Sequence, residues 1–334
     1  MEEKTAMNVN GTATWLTHPW VAKGEHTIRF GVSVINQGGD WLLHRDWVQM
    51  AEDLGFDSYW APDHPMGNVD CWTSLTMLAA TTTKIRLGSL VSCISYRSPA
   101  LLARLAADVD RLSNGRLVLG IGIGDALHEF AQMGIPVPST QERQHTLEET
   151  IQIVLGLWEK PSFNYQGKYF HLHQANGRPL PLQQPHVPIL IAGGGERVTL
   201  RQVAQYADVS NFGAHAWTGG AANVEDVVRK FTALRSHCEV QERPYTSVLR
   251  SYTTVALVLA QTHEALQAKL DTVPQWLRNQ FQASTIAGIP SEVIAHYQAL
   301  AKAGVQYFIM LIYRNDFETL QLLAQQVVPA VTKI

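Results

Sequence analysis

Cysteine is scarce in this sequence, with three residues in 334. Cys71, Cys93 and Cys238 are odd in number, far apart and without a CxxC pair, which excludes a disulfide framework and a cysteine metal site. They read as small buried apolar side chains in a reducing compartment. Charge is thin as well, at 16% of residues against about 25% in ordinary soluble domains. With 26 Lys+Arg against 29 Asp+Glu the chain carries a net charge of -3, so the basic stripe of a nucleic-acid binder is missing. No apolar run approaches the roughly 20 residues of a membrane span, and no membrane partner is expected. Met1 to Thr27 has acidic residues at positions 2 and 3 and no apolar core, so no signal peptide is expected and the cytoplasm is the expected compartment. The apolar share, 46%, is ordinary. Low charge beside an ordinary core points to surface hidden in a homodimer.

What is there is a regular alternation of strand and helix, which predicts a parallel sheet covered by helices. Eight β-type runs stand out: Ile28–Ile35, Asp57–Pro62, Ile85–Cys93, Arg116–Ile123, Val187–Ala192, Asp208–Phe212, Val248–Ala260 and Val305–Ile312. Their near-continuous apolar character suits strands buried on both faces. Between them Leu43, Trp47, Met50, Ala51 and Leu54 recur at helical spacing, as do Leu147, Ile151, Val154, Leu155 and Trp158. Eight strand–helix units in about 300 residues is the count of a (β/α)8 TIM barrel, with a doubly wound sheet as the alternative. Residues 1–27 read as an N-terminal extension and 28–334 as one domain. Two connections exceed simple loops: Lys160–His186 after the fourth helix, with a hairpin over Phe163–Phe170, and Thr262–Gly304 between strands seven and eight, with at least two helices.

Active sites of such barrels form at the C-terminal strand ends, which narrows the search. The second strand ends in Asp63-His64, and a histidine there suits proton exchange near neutral pH. Neighbours on an extended chain point apart, so Asp63 is poorly placed to orient His64. The fourth strand ends Gly120-Ile121-Gly122-Ile123-Gly124-Asp125, which lacks the last glycine of the dinucleotide fingerprint. Alternate glycines there let a flat ligand approach the backbone, or relieve crowding inside the barrel; Asp125 projects from the tip. After the fifth strand Gly193-Gly194-Gly195-Glu196-Arg197 precedes a helix, an arrangement for curling N–H groups round a phosphate, with Arg197 as a second contact. No Walker motif is present, so that phosphate is expected to belong to a bound cofactor. His171 and His173 lack a nearby third ligand, and no metal is expected. Glu142, Glu148 and Glu149 lie on a helix and read as solvated.

The run Arg111-Leu112-Ser113-Asn114-Gly115-Arg116 through Gly124, followed by Glu129-Phe130 and Gly134-Ile135-Pro136, resembles the central signature of the bacterial-luciferase-like superfamily. The similarity extends over Arg143, Glu148-Glu149, Leu157-Trp158, Pro185 to Gly194 and Ala204–Asp208. The resemblance implies a TIM barrel, often dimeric, that uses reduced FMN with oxygen or the 8-hydroxy-5-deazaflavin coenzyme F-420 for hydride transfer. Asp63-His64 is similar to the Asp-His pair of the deazaflavin dehydrogenases, which implies His64 and Asp125 as catalytic residues. Leu87 to Cys93 matches the segment whose bulge supports the ring, implying cofactor contacts at Leu90, Val91 and Ser92 and a cis peptide at Leu90–Val91. The same resemblance gives Asp63, Gly193, Gly194 and Gly195 as cofactor-binding positions, to which the readings above add Gly122, Gly124 and Arg197. One departure is Asn68, where the sugar-phosphate dehydrogenases of the group carry tryptophan; the nearest one here is Trp72. The function implied is an oxidoreductase acting on a small organic substrate through F-420 or FMN. Its alternatives are a flavin monooxygenase, a barrel lyase or isomerase, and a non-catalytic flavin-binding barrel.

Overall fold

The computed structural model of the chain describes residues 6–7, 13–24, 27–35 and 39–333. Eight parallel strands form the centre: β1 (Arg29–Ile35), β2 (Ser58–Ala61), β3 (Arg86–Ser89), β4 (Leu117–Gly122), β5 (Ile189–Ala192), β6 (Val209–Gly213), β7 (Leu249–Leu259) and β8 (Tyr307–Tyr313). Each pairs with the next, and β8 returns to β1 through Tyr307↔Arg29, so the sheet closes. Closure removes the doubly wound alternative. The fold is a TIM barrel.

The period-two pattern of each strand sorts its side chains between two cores. Phe30, Val32 and Val34 of β1 face outward into one apolar layer that also holds Trp47, Leu75, Leu102 and Leu147 of the surrounding helices. These helices are α1 (Trp41–Asp53), α2 (Cys71–Thr81), α3 (Pro99–Leu112) and α4 (Thr140–Glu159), followed by α5 (Thr199–Tyr206), α6 (Val224–Val240) and α7 (Pro290–Lys302). Inside the barrel, Trp60, Val118, Leu190, Val209, Leu249, Tyr307 and Ile309 meet Trp20 and Val21 of the short helix Pro19–Ala22. The guanidinium groups of Arg29 and Arg86, the first residues of β1 and β3, lie over the Trp20 ring at 4.7 and 5.1 Å. Trp20 therefore plugs the N-terminal mouth, leaving chemistry to the other end. Of the expected N-terminal extension, residues 1–5, 8–12 and 25–26 lie outside the described residues.

Several helix starts are fixed by their own side chains. Asp40 accepts from the Leu43 N–H, Asp70 from Thr73 and Ser98 from Leu101, while Ser139 and Glu142 form a capping box on α4. Glu142, Glu148 and Glu149 are thus not simply solvated. Glu148 accepts from the Tyr206 hydroxyl, and Glu149 accepts from the backbone N–H groups of Lys168, Tyr169 and Phe170 at 2.7, 3.0 and 3.0 Å. That carboxylate pins the turn of a hairpin formed by Phe163–Gln166 and His171–Ala175, whose second strand runs five residues beyond the expected Phe170. His171 and His173 are exposed on it. Between β7 and α7 stand the helices His263–Thr272 and Gln275–Phe281 and a short strand, Ile286–Gly288, that pairs with β7. The third strand also differs from its expected span: β3 stops at Ser89 and pairing resumes at Ser92–Cys93 against Ile121 and Gly122. Among the described residues no helix is long and apolar enough to cross a membrane.

Candidate functional site

Beyond β2 the chain reads Pro62-Asp63-His64-Pro65, and the two prolines keep it extended as it leaves the barrel. Asp63 and His64 accordingly point apart. The Asp63 carboxylate is only 1% exposed and forms a two-point pair with Arg97, at 2.6 and 3.0 Å, while also accepting from the Cys93 N–H. In the structure this side chain braces the segment after β3. Arg97 reaches on to Asp70, the cap of α2, at 3.2 Å.

His64 turns the other way, with 35% of its side chain exposed. Its Nδ1 lies 3.2 Å from Oε2 of Glu129, and the Tyr96 hydroxyl donates to the same oxygen at 3.0 Å. Glu129 sits in the first turn of the short helix Leu127–Gln132 with only 7% of its side chain exposed. Burial works against a charged imidazole here. The Glu129 hydrogen bond and the nearby Glu129, Asp125 and Asp63 charges outweigh it, and His64 titrates above its ordinary value. Burial likewise opposes the Glu129 charge, but its bonds to His64 and Tyr96 hold its carboxyl below the ordinary range. Asp125 is exposed at the tip of β4, as expected. Glu129 and Tyr96 were not selected from sequence. The available signal for Glu129 was its place in the Glu129-Phe130 motif.

The Leu90–Val91 peptide is cis, and both residues are half-buried beside the interior core. Leu90 donates its N–H to Ala61 at the end of β2. Ser92, by contrast, is buried with its hydroxyl accepting from the Trp72 indole at 3.1 Å, so its side chain supports the bulge from behind. The glycines of β4 explain how the bulge fits. A Cβ on Gly120 would run into the Ser89 carbonyl oxygen, one on Gly122 would lie 2.7 Å from Val91 Cγ2, and one on Gly124 2.6 Å from Cys93 Sγ. Of the two readings of Gly122 and Gly124, this packing fits relief of crowding inside the barrel. Both glycines clear space for residues 89–93.

The loop after β5 is different. Gly193 adopts φ of +124° and donates its N–H to Asn211. The N–H groups of Gly194, Gly195 and Glu196 donate to no protein acceptor among the described residues. Beneath them the buried Lys230 ammonium donates to the Gly194 carbonyl at 2.7 Å and lies 3.9 Å from Glu196. Burial pulls its pKa below the ordinary lysine value, against the Glu196 charge. Arg197 is exposed beside the loop. Unshared N–H groups over a buried cation suit an anion such as a cofactor phosphate.

A closed α/β barrel with an imidazole, an apolar bulge and an open N–H loop on its C-terminal face is the architecture of a barrel enzyme. Residues 27–309 match the luciferase-like monooxygenase family, and the chain belongs to it. It is 28% identical over 293 residues to the F420-dependent glucose-6-phosphate dehydrogenase of Amycolatopsis mediterranei, covering 79% of this chain and 86% of that one. It is 26% identical over 320 residues to the 5,10-methylenetetrahydromethanopterin reductase of Archaeoglobus fulgidus, covering 85% and 94%. A 38% match to the F420-dependent glucose-6-phosphate dehydrogenase of Kineococcus radiotolerans spans 46% of this chain and 47% of that relative, about half its length. In fold the chain resembles the coenzyme F420 dependent tetrahydromethanopterin reductase from Methanopyrus kandleri, with TM-score 0.76, 20% identity and coverage of 91% and 99%.

Proposed function

We propose that this chain is an oxidoreductase that uses coenzyme F-420 or FMN to move a hydride to or from a small organic substrate. The observation that carries this reading is the shared face: His64, the Leu90–Val91 bulge and the open N–H loop all stand at C-terminal strand ends. Gly194, Gly195 and Glu196 fit the cofactor phosphate, with Arg197 beside it, while Leu90 and Val91 back the ring. The bound cofactor supplies the hydride chemistry. His64 holds or takes the accompanying proton, and Asp125 anchors substrate or exchanges a second proton. Asp63, Ser92, Gly122 and Gly124 act indirectly, by shaping the bulge. The Asp63-His64 pair favours F-420. Oxygen-dependent monooxygenation with reduced FMN is the second reading, supported by the family itself.

A sugar phosphate is not the substrate in this reading, although relatives carry that name. Asn68 replaces the expected tryptophan, and Trp72 is engaged with Ser92. Nearby cations are engaged too: Arg97 with Asp63 and Asp70, Arg143 with the Ile123 and Gly124 carbonyls, Lys269 with Asp316 and Glu318. Residues 28–334 as one domain, assembly as a homodimer and a cytoplasmic location belong to the same proposal. The three free, buried thiols and the low charge support the last two.

Titration of the purified protein with F-420 and with FMN, followed by absorbance, tests the reading; saturable micromolar binding of one is expected. Binding of neither overturns it. In His64→Ala, turnover should fall about a hundredfold or more while cofactor affinity stays within a few-fold.

A further inference from the structure

His64 is the half-buried imidazole to which the proposed function assigns proton exchange, and its neighbour Asp63 does not orient it, being locked to Arg97. Orientation comes from two other segments. The helix Leu127–Gln132 supplies Glu129, and the chain after the bulge supplies Tyr96, whose ring meets Phe130 edge-on at 5.3 Å. Both His64 Nδ1 and the Tyr96 hydroxyl converge on Glu129 Oε2, at 3.2 and 3.0 Å.

A buried carboxylate that accepts from one imidazole nitrogen fixes the tautomer and the plane of the ring. With Nδ1 held, Nε2 is the nitrogen left to exchange a proton. We infer that Glu129 is a positioning residue that sets His64 in the Nδ1–H form with Nε2 presented to substrate, and that Tyr96 fixes the carboxylate in turn. This rests on the proposed proton-exchanging role of His64. Charged and titratable groups around the pair are few: Asp125 from the tip of β4, Asp63 with its partner Arg97, His128 beside Glu129, and the Cys93 thiol near Tyr96. Asp125 and Asp63 also favour the charged ring, but neither bonds to it. Glu129 alone among the described carboxylates touches the imidazole.

The test is an NMR titration of ring-15N-labelled histidine in the cofactor-free protein, with the His64 signal assigned by its loss in His64→Gln. The native protein should show the Nδ1–H tautomer in its neutral form and titrate above the ordinary histidine value. Glu129→Gln keeps an acceptor but removes the charge, so the tautomer should persist while the midpoint falls by about one unit or more. Glu129→Leu removes both, and the ring should revert to the Nε2–H form. Tyr96→Phe should shift the midpoint less than either. An unchanged midpoint in Glu129→Gln overturns the inference, and that variant decides alone if Glu129→Leu does not fold. The titration needs neither cofactor nor substrate. A protein that binds no cofactor yet shows these shifts would therefore sink the proposed function and leave the positioning role standing.

Discussion

Gly120 and Gly122 lie in β4 and Gly124 just past its end, while Gly193, Gly194 and Gly195 follow β5, the strand paired with β4 through Leu119↔Ile189. In the first set, the space a side chain would take is filled by the protein's own residues 89–93. In the second, the backbone leaves N–H groups unshared above a buried ammonium. One residue type thus does two jobs a strand apart: it lets chain approach chain, or it lets backbone approach an anion. The first job belongs to stability; the second, in the proposed function, to binding.

Substitutions can break that division. The largest effect is expected for Gly120→Val, which drives a branched side chain into the Ser89 carbonyl; a loss of about 3 kcal/mol or more should appear in denaturant unfolding. Lys230→Met keeps the stem and deletes the charge beneath the loop. Cofactor affinity should drop about tenfold in a binding titration, about 1.4 kcal/mol, with a smaller change in unfolding. Gly195→Ala should do least, because its Cβ meets only the Thr199 hydroxyl, 2.9 Å away at the end of a side chain that can turn. Less than about 1 kcal/mol of stability and a few-fold of affinity are expected. Equal losses of stability from Gly120→Val and Gly195→Ala would erase the contrast.

Strand count and the helical stripes between the strands were legible because they are written in local periodicity. The eight runs matched the eight strands to within a few residues. Other features depended on which chain lies across the barrel wall. Nothing local says that Gly122 faces Val91, that Ser92 is held by Trp72, or that Glu149 caps a hairpin turn some twenty residues on. The Glu129–His64 contact is of this kind, joining residues 65 apart in sequence. The short strand Ile286–Gly288 escaped notice because three residues carry no period.

Arg97 joins Asp63, the residue before His64, to the bulge through the Cys93 N–H on the same carboxylate, and joins both to the cap of α2 through Asp70. The imidazole and the bulge are consequently one mechanical unit, so neither can be re-aimed alone. Anyone grafting the loop of residues 90–98 from a relative into this barrel would have to transplant Asp63 and Asp70 with it, or leave a buried carboxylate without its cation.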